Sequence, residues 1–227
     1  MKSLLAVLAA SLAVLSAPTS ASATVFIFEG NNGAYDTPTG NIALDCGSVG
    51  FDFCSANDAL GLTYSKGGLG LTAVAYTTGG APTQLIQDIT PNDSGLGALS
   101  ENDNINDQTQ LGEYITLTFT DAVQLTSIEF NAGNDTNCST PGSEGPCGFF
   151  DFFIDNVFFG NLEATDLLTG PFFGTSFRFV ATTAGAGFAI AKLAIEDAPP
   201  IPAPAALPLL LAGLAGLGFA SRRKSAR

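Results

Sequence analysis

The densest group of oxygen-bearing side chains runs Glu101-Asn102-Asp103-Asn104-Ile105-Asn106-Asp107, with Glu113 shortly after it. Calcium takes about six to eight oxygens from carboxylates, amides and backbone carbonyls on a loop. Glu101, Asp103, Asn104, Asn106 and Asp107 are of the types that could supply several. The spacing is not that of an EF-hand, because Ile105 and Gln108 fall at the wrong places and the turn glycine is missing. A solvated polar turn between strands accounts for the same residues, so calcium is the one cofactor suggested and the plain turn is its rival. Asn131 to Asp135, and the pair Asp151 and Asp155, are weaker candidates of the same kind.

Catalysis has little to work with. The chain has no histidine, which removes Ser-His-Asp and Cys-His nucleophilic arrangements. A glycosidase-like carboxylate pair remains formally available, but among 21 acids some pair will always fall at a suitable distance, so the pattern carries no weight. The expectation is a protein that is not an enzyme. The four cysteines form two local pairs, Cys46 with Cys54 and Cys138 with Cys147, separated by Gly- or Pro-bearing loops that can fold back. An even count in an exported chain reads as disulfides. Four cysteines allow three connectivities, of which the two local bridges are favoured. Zinc is disfavoured by the lack of CxxC spacing and of histidine.

Charge narrows the partners. Between Thr24 and Ala198 lie all 21 acids but only three cations, Lys66, Arg178 and Lys192, a net of −18. Such a surface repels phosphate backbones, which need Lys and Arg to release counterions, so nucleic acid is excluded as a natural partner.

The elements that would carry these residues are strands. Apolar stretches alternate with period two or form short β-rich runs, bounded by Gly, Asn, Asp or Pro. Candidates are Thr24 to Glu29, Leu60 to Ser65, Leu69 to Tyr76, Leu85 to Ile89, Phe149 to Ile154, Val157 to Asn161, Thr175 to Ala181 and Gly187 to Ile195. The clearest is Glu113 to Phe130, read as two alternating strands around a turn at Asp121, with a phase change between Leu125 and Ile128 that suggests a bulge. No amphipathic helix with caps is visible in this body. The expected fold is therefore all-β, a single antiparallel β-sandwich or jelly roll over residues 24–198. With 18 Phe and no Trp, the runs at Phe149 to Phe153, Phe158-Phe159 and Phe172-Phe173 read as core on both sides of a strand, with an exposed ligand platform as the alternative. Tyr35, Tyr64, Tyr76 and Tyr114 are the only rings with a polar tip.

Both ends look like routing signals. Lys2, the apolar run Leu4 to Leu15 and the small residues Ala21-Ser22-Ala23 have the order of a secretory signal peptide over residues 1–23. Residues 199–227 combine a Pro-rich spacer, an apolar run from Ala205 to Ala220 and the basic cluster Arg222, Arg223, Lys224 and Arg227. Basic residues beyond an apolar span stay cytoplasmic, so this is a transmembrane stop-transfer arrangement with the body outside.

The tail resembles the PEP-CTERM family of exported bacterial proteins, in the variant where Val-Pro-Leu-Pro-Ala precedes the helix. Ile201, Pro202, Ala203, Pro204 and Ala205 match that motif, with Ile for Val and Ala for Leu, followed by the Ala206 to Gly218 span and the basic cluster. The resemblance implies recognition by an exosortase in the inner membrane, cleavage near the Pro motif and release to the cell surface or extracellular matrix. The expected role is that of an exported surface or matrix protein, structural in an exopolysaccharide or biofilm setting. The alternative is a carbohydrate-binding or adhesin module, with or without calcium.

Overall fold

The computed structural model describes residues 23–30, 34–44, 53–89, 95–99, 108–132, 136–137, 147–164, 171–184 and 186–197. The Glu101 to Asp107 loop, Cys46, Cys138, residues 1–22 and the whole sorting tail lie outside them.

Among the described residues the regular structure is all strand. In chain order the strands are β1 (Ala23–Ile27), β2 (Ile42–Leu44), β3 (Phe53–Ser55), β4 (Leu62–Lys66), β5 (Leu69–Thr77), β6 (Pro82–Asp88) and β7 (Gly95–Leu99). They continue as β8 (Thr109–Gln110), β9 (Glu113–Ala132), β10 (Thr136–Asn137), β11 (Phe149–Ile154), β12 (Val157–Glu163), β13 (Phe172–Ala181) and β14 (Gly187–Asp197). Every pairing between them is antiparallel.

The pairings close a ring. β5 pairs β6, β6 pairs β7, β7 meets β14, β14 pairs β9 and β9 returns to β5. β13, β11 and β12 extend from the other edge of β9 as an open wing. Closing a sheet on itself removes edges that would otherwise offer unpaired backbone groups.

The strand that makes this closure possible is β9, and here the sequence expectation is corrected. Asp121 is not a hairpin turn. β9 runs unbroken through it, its first half pairing β5 and its second half β14. On the β13 side, Thr118 faces Ser176 and Val123 faces Gly174, so Phe119 to Ala122 lie against Thr175 alone. The extra residues turn a corner, which is how one strand can serve two sheet portions. The second irregularity falls where the phase change suggested. Ser127 faces Ala194 and Leu125 faces Ile195, leaving Thr126 as the bulged residue, its hydroxyl donating to the Ala194 carbonyl at 2.9 Å.

The core lies on the inward face of these strands. Phe26, Phe28, Phe150, Phe152, Phe177 and Phe179 are fully buried in it, each contributing about 1.5–3 kcal/mol by burial. Most of the rings meet edge-on or tilted, as Phe130 does with Phe150 at 5.1 Å and Phe188 at 5.5 Å, while Phe26 with Phe28 and Phe152 with Phe177 are stacked, arrangements that aromatic quadrupoles favour. The Phe runs therefore divide. Phe150, Phe152 and Phe172 fill the core, whereas Phe149 and Phe173 are exposed, because successive side chains of a strand point to opposite faces; Phe158 and Phe159 are exposed as well.

One buried polar strap crosses the sheet. The Tyr64 hydroxyl donates to Gln87 Oε1 at 3.0 Å, while Gln87 Nε2 donates to the carbonyls of Phe28 and Asp36 at 3.1 and 3.0 Å. Asp36 in turn accepts from the Ile27 amide and from Lys66 Nζ, both at 2.8 Å. This holds the irregular segment 34–38 along the end of β1.

Candidate functional site

Period-two alternation gives β5, β9 and the wing a shared outward face with its own side chains. In β5, Leu71, Ala73 and Ala75 point inward and Tyr76 outward; in β9, Ile115 and Leu117 point inward and Tyr114 outward. Register then aligns the outward residues across strands. Tyr76 is opposite Tyr114, Arg178 opposite Phe153 and Phe153 opposite Phe158. Arg178 itself sits opposite Thr116, one outward position from Tyr114.

These five side chains make a continuous row. Tyr76 and Tyr114 stack at 5.0 Å with 17° between planes. The Arg178 guanidinium lies 5.6 Å from the Tyr114 centroid and 4.1 Å from that of Phe153, and Phe153 meets Phe158 edge-on at 5.5 Å. The row crosses five neighbouring strands, β5, β9, β13, β11 and β12, a length of about 20 Å at ~4.8 Å per strand. Polar groups flank it. Asn161 donates to Asp151 Oδ1 at 2.9 Å and to the Thr182 hydroxyl at 3.2 Å.

Arg178 stands apart from the other two body cations. Lys66 is paired with Asp36. Lys192 bridges Glu29 and Glu129, 3.1 Å from the latter, and Asn131 donates to Glu29 at 3.1 Å. Partial burial acts to lower the Lys192 pKa, but the two carboxylates outweigh it and hold the ammonium above its ordinary value. Arg178, in a body with seven times as many acids as cations, instead lies between two rings, with no ion pair among the described residues and its Nε buried without a hydrogen-bond partner. Guanidinium stacked on aromatic faces is held in place by cation–π attraction worth about 0.5–2 kcal/mol.

Comparison with protein-family models, with characterised proteins and with solved structures finds no match. The site must be read from its own chemistry. A row of rings interrupted by one guanidinium and bordered by amide, carboxylate and hydroxyl groups suits a ligand with apolar C–H faces and a polar rim. It offers no nucleophile and base pair.

The residues singled out in the sequence are placed as follows. Cys54 and Cys147 are buried and disulfide-bonded; Cys46 and Cys138 lie outside the described residues, as do Glu101, Asp103, Asn104, Asn106 and Asp107. Among the described residues no group of three or more acids or cysteines could hold a metal. Glu113 is buried, its Oε2 accepting from the Gln110 amide at 3.0 Å.

Asp155 is committed to structure. With Asn156 it forms the β11–β12 turn, at φ 48° and 66°, the left-handed conformation that Asp and Asn tolerate and that two-residue hairpins require. Its Oδ1 accepts from the Thr175 amide and hydroxyl at 3.0 and 2.9 Å and from the Ser176 amide at 2.9 Å. Slight burial pushes its pKa up, but these hydrogen bonds outweigh it and hold the carboxyl below its ordinary value. Asp151 belongs to the border of the aromatic row. Of the four tyrosines, Tyr64 is core and Tyr35 leans on Phe53; only Tyr76 and Tyr114 reach the row. Arg178 was not singled out as a site residue, although a lone Arg between outward-facing positions of a period-two strand was the available signal.

Proposed function

We propose that the chain is an exported, exosortase-sorted surface or matrix protein, not an enzyme, whose β-module binds exopolysaccharide along the Tyr76–Tyr114–Arg178–Phe153–Phe158 row. In this reading the closed sheet with its wing is a flattened sandwich or jelly roll, and the wing, continued by β9 and β5, is the layer that meets the glycan. The aromatic row carries the proposal. Pyranose rings have C–H faces that lie on aromatic rings and hydroxyls that reach side chains such as Asp151 and Asn161, while a largely apolar surface with a few placed polar groups is the common form of a small-molecule site. The sorting tail, with Ile201 to Ala205 as exosortase motif and the basic cluster as membrane stop, brings the module to that surroundings.

Electrophoresis through gels cast with polysaccharide tests the binding. The protein should be retarded in at least one neutral or acidic glycan gel, and Tyr76→Ala with Phe153→Ala should restore free mobility. Retardation that disappears with chelator would add calcium to the site. Unretarded migration in every gel, with the protein still found in the matrix, would reject the glycan row and leave a purely structural role. Intact mass of released protein tests the route, with Thr24 expected first and residues 205–227 absent.

A further inference from the structure

We propose that β12 is a self-association edge, pairing antiparallel with β12 of a second copy. The edges of this sheet are treated unequally. β1 is shielded by Asp36, whose amide donates to the Ile27 carbonyl at 2.7 Å and whose carboxylate takes the Ile27 amide. β4 is bridged by Thr39, whose amide donates to the Thr63 carbonyl at 2.6 Å. β12, at the end of the wing, pairs β11 alone among the described residues. A strand open along one side is a template for another strand.

Its side chains point to the same partner. Val157, Phe158 and Phe159, three consecutive large apolar side chains at the start of this edge strand, are 70, 55 and 54% exposed. A one-residue bulge at Phe159 sends Phe158 to the outer face beside Phe153 and Phe159 to the inner face beside Phe152 and Phe172. The asparagine-bearing turn fixes the strand's start, so the exposed rings are held by a defined backbone.

Charge decides the occupant. Copies of a body carrying −18 repel each other over most of their surface. Val157 to Leu162 carries no charge at all, and Glu163 closes the strand. Antiparallel pairing about the strand centre sets Val157 of each copy beside Glu163 of the other and keeps the two Glu163 carboxylates about 20 Å apart, six residues at ~3.4 Å. The same surface patch serves both copies, as a two-fold dimer demands.

The test places a photo-reactive benzophenone side chain at position 158 of the full chain, in cells that export it. Irradiation should give an adduct of twice the chain mass, with the cross-linked peptide mapping to residues 157–163 of the second copy. The register fixes the response to charge at Val157, which is exposed enough for either variant to fold. Val157→Glu brings a carboxylate beside Glu163 and should abolish the adduct; Val157→Lys should preserve it. Adducts only to lipid, glycan or another protein would overturn the proposal, as would an absent adduct or a dimer that responds alike to both substitutions.

Discussion

Tyr64 shows how much of this fold depends on a single hydroxyl. Among the described residues it is the one donor to Gln87 Oε1, and Gln87 in turn ties β6 to the segment that shields β1. Tyr64→Phe keeps the ring against Phe28 but leaves a buried amide oxygen without its donor. It should lower the stability by about 1–3 kcal/mol in denaturant titration. Burial first, and the nearby Asp36 charge second, raise the Tyr64 pKa well above its ordinary value. The wild-type advantage is therefore fully present below the unfolded tyrosine value of about 10 and declines as pH rises through the folded one. Asp155 works in the opposite sense. Its lowered folded pKa gives stability that is present above about pH 4 and fades as pH falls through the folded value. Asp155→Asn, which tolerates the turn's positive φ, should thus differ most from wild type near neutrality and converge with it in acid; a gap constant from pH 7 to pH 2 would rule out the carboxylate's charge as its source.

At the scale of elements, the strands whose alternation is clean were legible. Phe149–Ile154 coincides with the strand read from sequence, and the β9 bulge falls in the expected interval. What was not legible is what pairs with what. The Thr-Asp-Ala stretch of β9 has the composition of a turn, yet it stays extended around a corner because the residues just before it, up to Phe119, and just after it, from Val123, are paired with neighbouring strands. β7, Gly-Leu-Gly-Ala-Leu, went unread because glycine depresses strand propensity. Gly95 is there for a long-range reason: at φ 100° its missing Cβ leaves room for the Ile190 carbonyl of β14. This is the point where β7 meets β14 and the ring closes. Gly95→Ala, which at a compatible position would stabilise by about 0.4–1 kcal/mol, should here destabilise by more than that, and amide exchange should accelerate in β7 and β14 together. Faster exchange in β7 alone would mean that closure does not depend on that approach. The aromatic row was hidden for the same reason, since Tyr76, Tyr114 and Arg178 are far apart in sequence and only register brings them side by side.

For the whole molecule, charge is the main unspent energy. With 21 acids against three cations in the body, folding concentrates like charge, so added salt should raise the melting temperature through screening. Calcium gives a sharper question about the Glu101 to Asp107 stretch. A specific site should add about 2.7 kcal/mol at a hundredfold excess over its dissociation constant, beyond what sodium achieves at equal ionic strength. Asp103→Asn with Asp107→Asn should remove that excess. If sodium reproduces the whole effect, the stretch is a solvated turn.

The pairing of β1 with β14 has a mechanical consequence. Ala23 lies opposite Glu196, so the first and last strands run side by side, and β14 is also laced to β9 along most of its length. A tug on Asp197 directed along β14 acts perpendicular to the ladder hydrogen bonds. It must shear both seams at once, where a sideways pull would open them one bond at a time. A body tethered through its C-terminal strand would thus resist drag by sharing the load between two ladders.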